Sequence, residues 1–190
     1  RVIPCADLSR EDDAFSLSLP WVLPSPNLPT IESTICYIGT VLFEGTDLSE
    51  GRGTTKPLEL IGAPWLRADE LVSHFNSKGI EGAILRPAYF TPSFSKHAGE
   101  LCHGFQIHIT DRDRFDPFSL GLYLVEYIRN THPEFSFRGE SALTAEAKDQ
   151  KLFIDLLLGT DEFRKGTLSA DQLISTHAQK VATFKKNSEK

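Results

Sequence analysis

AILRPAYFTPSFSKHAGELCHGFQIHIT, residues 83–110, sets two strand-like runs on either side of a polar loop. In the second run Phe105, Ile107 and Ile109 alternate with Gln106, His108 and Thr110, the period-two pattern of a strand with one buried and one polar face. Ala83–Phe90 reads as the other strand. Outward from this pair the periodicity turns helical. Upstream, Ala68–Ser77 places Leu71, Val72 and Phe75 at three- to four-residue spacing and meets Gly79 at its end. Downstream, Phe118–Arg129 is amphipathic and stops near His132-Pro133. Leu58–Ala63 adds a strand candidate and Phe135–Phe137 a short edge strand. From Asp149 onward the pattern is helical through Leu152, Phe153, Leu156 and Leu157, with a break at Gly159 and a second piece to Gly166. A last helix, Ala170–Lys186, starts at Ser169 and carries lysines where the helix dipole is negative. Strands mixed with helices, without a strict strand-helix-strand rhythm, predict an α+β fold: a small mixed or antiparallel sheet with flanking helices.

The 190 residues suffice for one sizeable core, or one domain plus a remnant of another. Arg1–Pro4 reads as the end of a strand, and no charged-then-apolar leader precedes it, so the chain looks cut from something longer. Residues 5–29 form a proline-rich linker, with Pro20, Pro24, Pro26 and Pro29 keeping it extended while Trp21, Val22 and Leu23 dock onto a neighbouring face. Residues 30–190 are the domain proper. Thr30 caps a short helix that runs to about Tyr37 and stops at Gly39. A net charge of −6 leaves no basic stripe to neutralise phosphates, which argues against a nucleic-acid partner. No run approaches the ~18 apolar residues of a membrane span. The 3 cysteines, Cys5, Cys36 and Cys102, make no disulfide framework and no metal-type spacing.

Chemistry concentrates in two stretches. GTVLFEGTDLSEGRGTTKPLELIGAPW, residues 39–65, puts Glu44, Glu50, Arg52 and several hydroxyls beside Val41, Leu42, Phe43 and Trp65, in a segment too glycine-broken for a plain helix or strand. Its Gly51–Lys56 portion departs from the phosphate-loop order, since Lys56 is followed by Pro57. One reading of Glu44, Glu50 and Arg52 is a solvated loop with a surface ion pair worth ~0–1 kcal/mol. The other is a working site, where carboxylates against apolar walls acquire raised pKa values and act as acids. Residues 86–103 are the second stretch, with Ser95, Lys96, His97 and Glu100 close in sequence. A serine triad is assembled in space rather than from sequence neighbours, so nucleophilic serine chemistry is set aside. A metal set drawn from His97, Cys102, His103, His108, Asp111 and Asp113 is set aside too, because His103 and His108 point to opposite faces of one strand. No metal or cofactor is called for.

Taken together, residues 24–30 (PSPNLPT), 42–57 (LFEGTDLSEGRGTTKP), 61–65 (IGAPW) and 89–102 (YFTPSFSKHAGELC), followed by His108–Asp111 and Leu157–Thr160, resemble the NamZ-type exo-β-N-acetylmuramidases. This glycoside hydrolase family was long catalogued as a domain of unknown function. The resemblance implies a Rossmann-like N-terminal domain, here reduced to its last strand at 1–4, and a smaller C-terminal domain, with the active cleft between them. It implies release of N-acetylmuramic acid from the non-reducing ends of peptidoglycan fragments, in a bacterium and in or beyond its cell envelope. Such hydrolysis uses an acid at the leaving oxygen and a carboxylate or base on the opposite face of the sugar. Glu44 and His97 are the candidates from this chain. Asn27, Thr46, Glu50, Arg52, Thr54, Tyr89, Lys96, Glu100 and His108 are the candidate contacts to a muramyl saccharide. Arg52 suits the lactyl carboxylate by a bidentate contact, or else ties Glu44 and Glu50 together. Partners are thus the saccharide and the N-terminal domain of the same protein. Loops 43–56 and 93–103 are expected to share one concave surface. The alternative is a non-catalytic module that binds muramyl sugars or buttresses its neighbour.

Overall fold

The computed structural model describes residues 16–140 and 150–188, together with residues 3, 5–9, 12 and 14. β1 (Leu60–Ala63), β2 (Ala83–Phe90) and β3 (Cys102–Ile109) form an antiparallel sheet in the spatial order β1-β3-β2. Five helices flank it among the described residues: α1 (Ile31–Thr40), α2 (Ala68–Lys78), α3 (Pro117–Thr131), α4 (Phe153–Leu158) and α5 (Ala170–Ser188). The fold is α+β, with an open sheet.

Ile61 lies opposite Phe105, and Leu85 opposite Ile107. All four side chains join a core that Leu71, Val72 and Phe75 of α2 and Leu122, Leu124, Val125 and Ile128 of α3 complete. β2 is at an edge, the place where Pro87, which has no N–H for a second neighbour, is tolerated. Asn76 closes part of that edge: its Nδ2 donates to Leu85 O at 2.7 Å and its Oδ1 accepts from Leu85 N at 3.0 Å.

Thr30 caps α1 as expected, its Oγ1 accepting from Ser33 N at 3.1 Å while Thr30 N donates to Ser33 Oγ at 3.2 Å. Gly39 does not stop the helix. It lies within α1, where a side chain would collide with the Pro117 carbonyl at the start of α3, so the glycine serves a close helix crossing instead. Three further expectations change. Val22 and Leu23 are 79% and 54% exposed, and within that trio only Trp21 turns inward, donating from Nε1 to Leu28 O at 3.3 Å. Phe135–Phe137 is no strand; it contributes a single antiparallel bridge, Phe137 to Thr46. Residues 160–166 are turns rather than helix, because Asp155 and Arg164 fold the chain back on α4. β3 begins earlier than the alternation suggested, at Cys102, and Ser169 pairs with Gln172 at the start of α5 in the way that caps a helix. The strand expected at 1–4 and the helical start at Asp149 fall, apart from Ile3, outside the described residues.

Leu42, Phe43 and Leu48 are buried, and the first two belong to a short 3-10 helix, Val41–Gly45, that continues α1. These anchors sink the apolar side of the 41–50 segment into the core. Glu44 and Asp47 remain accessible beside them.

Candidate active site

Loops 43–56 and 93–103 meet, as the sequence suggested, at a cleft of about 680 Å³ lined by Glu44, Asp47, Glu50, Arg52, Lys96 and His97. They are sewn together. Ser93 N and Ser93 Oγ both donate to Gly53 O at 2.9 Å, and His97 Nε2 lies 2.8 Å from Asp47 O. Gly53, at φ +81°, must be glycine here, since a Cβ would approach Phe94 N to 2.7 Å. Ser95 and His97 also take positive φ, at 73° and 54°, a conformation costing ~1–3 kcal/mol per non-glycine residue. The surrounding bonds hold these residues in place.

Lys96 Nζ points inward, donating to Phe43 O at 2.7 Å and Leu48 O at 2.8 Å and forming an ion pair with Glu50 Oε2 at 2.9 Å. Burial lowers the Lys96 pKa, and the Glu50 carboxylate partly offsets this. Arg52 bridges two carboxylates, Nη2 to Glu44 Oε1 at 2.5 Å and Nε to Glu50 Oε1 at 3.0 Å. Burial works against the Arg52 charge, but Glu44 and Glu50 outweigh it and its pKa is raised. Glu50 is therefore a buried hub between two cations. Glu44 is less buried, and its Oε2 accepts no hydrogen bond among the described residues. A carbonyl only accepts, so His97 Nε2 carries the proton toward Asp47 O and the neutral ring keeps its lone pair on Nδ1. That pairing fits a general base or a hydroxyl contact.

Three lining groups were not anticipated: Asp47, Ser136 and Arg138. Asp47 lies within the first loop itself, whereas Ser136 and Arg138 arrive from distant sequence through a short ladder in which Asp47 N donates to Ser136 O at 3.1 Å, Ser136 N to Asp47 Oδ1 at 3.1 Å and Arg138 N to Gly45 O at 2.9 Å. Burial raises the Asp47 pKa, against the opposing pull of the Ser136 hydrogen bond.

Thr46 lines the cleft, but its hydroxyl is engaged with Phe43 O at 2.9 Å. The other candidate contacts lie apart from this lining. Thr54 Oγ1 donates to Gly51 O at 2.6 Å and shapes the turn. Asn27 sits on the linker, where its N–H donates to Ser25 Oγ at 3.3 Å. Tyr89 donates to Asp69 at 3.1 Å and packs edge-on against His103. His108 meets Arg86 at 3.3 Å on the open sheet face, and Glu100 is exposed in its loop.

A second cavity, of about 690 Å³, lies where α2, α3 and α5 meet, lined by His74, Tyr123, Tyr127 and Asp171. Its polar groups hold helices together: Tyr123 donates to Asp171 at 2.6 Å, and Glu126 accepts from Ala170 N at 2.8 Å. The cleft at Glu44 is the better candidate because its charged groups converge from separate loops. Burial pushes the Cys36 thiol up to about 12 and the Cys102 thiol up to about 11, which suits packing rather than nucleophilic residues. Among the described residues no three His, Cys, Asp or Glu side chains cluster as metal ligands, and no helix is long and apolar enough to cross a membrane.

Fold and cleft together define a small α+β domain that presents a charged, open wall built from two interlocked loops. Residues 35–190 match the family described as Exo-beta-N-acetylmuramidase NamZ, C-terminal, and the chain belongs to that family. It is 40% identical over 190 residues to the peptidoglycan beta-N-acetylmuramidase NamZ of Bacillus subtilis (strain 168), covering 100% of this chain and 44% of that protein. The chain thus spans less than half the length of that relative. Two crystal structures of DUF1343 family proteins from Bacteroides fragilis are similar to it. One has a TM-score of 0.69 at 25% identity, over 83% of this chain and 40% of the other. The second has a TM-score of 0.56 at 28% identity, over 85% of this chain and 40% of the other.

Proposed function

We propose that the complete protein is a glycosidase that releases N-acetylmuramic acid from the non-reducing ends of peptidoglycan fragments, with this domain as one wall of its cleft. The observation that carries the reading is the convergence of Glu44, Arg52, Lys96 and His97 on one cleft, in a chain belonging to the NamZ C-terminal family. Glu44, with one oxygen on Arg52 and the other unoccupied, is placed to stabilise positive charge developing on the sugar or to act as a base. His97, with Nε2 tied to Asp47 O, is placed to exchange a proton at Nδ1. Glu50 and Lys96 hold the wall rigid. The opposite wall and the other working group come from an N-terminal Rossmann-like domain, and the location that suits the substrate is the bacterial cell envelope.

The test is kinetic, in the complete protein, with a fragment that carries non-reducing N-acetylmuramic acid. Glu44→Gln and His97→Asn are expected to lower kcat by about 10²–10⁴-fold if these groups take part in proton transfer. A rise in KM with kcat unchanged would instead make this domain a muramyl-sugar-binding module.

A further inference from the structure

Three basic side chains line the cleft, the arginines Arg52 and Arg138 and the lysine Lys96, and their situations differ. Arg52 spends Nε and Nη2 on Glu50 and Glu44. Lys96 spends its ammonium on two carbonyls and Glu50. Two carboxylates thus neutralise two cations within the wall. Arg138 is exposed, and its guanidinium has no ion pair or hydrogen bond among the described residues. Its guanidinium carbon lies 5.8 Å from the centroid of the Phe153 ring. A guanidinium set over an aromatic face keeps its in-plane N–H groups free, the edge that takes a carboxylate in a two-pronged contact.

Its backbone is fixed while its charge has no ion-pair partner among the described residues. Arg138 N donates to Gly45 O at 2.9 Å, and the adjoining turn is closed by Phe137 N donating to Glu140 Oε2 at 3.0 Å and Glu140 N to Phe137 O at 3.0 Å. That turn stands beside Glu44, and the Arg138 charge is felt as far as Lys96, whose pKa it helps to depress. An anion entering the cleft finds Arg52 and Lys96 already neutralised and Arg138 available.

We propose that Arg138 is the specificity-determining cation of this cleft and pairs with the lactyl carboxylate that distinguishes N-acetylmuramic acid from N-acetylglucosamine. This rests on the glycosidase reading above and moves the lactyl contact from Arg52, the arginine that the sequence pointed to, onto Arg138. Arg52 is left as the brace between Glu44 and Glu50.

The experiment measures the affinity of the complete protein for N-acetylmuramic acid and for N-acetylglucosamine, in wild type, Arg138→Ala, Arg138→Lys and Arg52→Ala. Arg138→Ala is expected to weaken N-acetylmuramic acid by about 10- to 100-fold, the range for losing a charge-assisted contact, while N-acetylglucosamine changes less than about twofold. Arg138→Lys should recover part of the difference, and Arg52→Ala should lower the melting temperature while affecting both sugars alike. An unchanged ratio in Arg138→Ala, or a wild type that binds the two sugars equally, overturns the proposal. Failure of the glycosidase reading looks different: wild type then prefers N-acetylmuramic acid in an Arg138-dependent way yet liberates none from peptidoglycan fragments.

Discussion

Glu50 is 3% exposed and holds a cation on each oxygen, Arg52 at 3.0 Å and Lys96 at 2.9 Å. Removing one partner of such a buried arrangement leaves an uncompensated charge, which costs far more than the intact pair contributes. Lys96→Met is therefore expected to destabilise the fold by about 3–5 kcal/mol, read from denaturant unfolding, because it also strands the carbonyls of Phe43 and Leu48. A loss under about 1 kcal/mol would mean the ammonium is a surface group. Asp47 behaves oppositely. Burial raises its folded pKa above the ordinary aspartate range, so the protonated form is favoured by folding. That contribution is fully present below the unfolded pKa and is lost as pH rises through the folded one. Asp47→Asn keeps an acceptor for Ser136 N without the charge, so it should raise the melting temperature at pH 7 and lose that advantage below about pH 4. An advantage that persists or grows toward acid would overturn this. Glu44, Glu50, Arg52, Lys96 and His97 were legible in the sequence because they fall in two short dense stretches. Asp47 went unremarked beside them, and Ser136 and Arg138 were not legible at all, since only the bridge between Thr46 and Phe137 brings them to the cleft.

α1 and α3 cross at two glycines. A Cβ on Gly121 would lie 2.5 Å from Gly39 O, and one on Gly39 would run into the Pro117 carbonyl. Backbone offers no rotamer by which to yield, so Gly39→Ala is expected to cost about 1–3 kcal/mol despite the better helix propensity of alanine. A gain in thermal stability would show that the helices separate freely. α4 depends on a different device. Asp155, 1% exposed, accepts from Leu152 N at 2.8 Å at the helix start and from Arg164 Nε and Nη2 at 2.9–3.0 Å. Arg164→Ala should lower stability by about 3–5 kcal/mol in an unfolding titration, with Arg164→Lys recovering only part because a point charge lacks the fork. Periodicity revealed α2, α3, β2 and α5 nearly to their ends because their patterns are local. It missed the continuation of α1 past Gly39 and the turns at 160–166, where a partner across the core, Pro117 in one case and Asp155 in the other, decides the conformation.

Hydrolysis of a glycosidic bond by a carboxylate pair sets the two groups roughly 5–9.5 Å apart across the sugar. Of the carboxylates lining this cleft, Glu50 is buried between two cations, and Asp47 is bound to Ser136 N at 3.1 Å. Glu44 and Asp47 each keep one oxygen without a hydrogen-bond donor among the described residues, but both belong to the same 41–50 segment, so the wall supplies its carboxylates and His97 from one side rather than as a facing pair. The chain also spans 44% of the length of its Bacillus subtilis relative, and on the proposed reading the remainder of the complete protein forms the opposite wall. The 190-residue chain on its own is therefore expected to release no measurable N-acetylmuramic acid from a peptidoglycan fragment, and the complete protein to release it readily. Mixing the chain with a separately produced N-terminal half should restore part of the activity, to the extent that the two halves associate. The measurement is free N-acetylmuramic acid liberated per mole of chain over time, with Glu44→Gln in the complete protein as the control for catalysis at this cleft. A rate from the isolated chain comparable to that of the complete protein would place the full catalytic set within residues 1–190 and remove the need for a second wall.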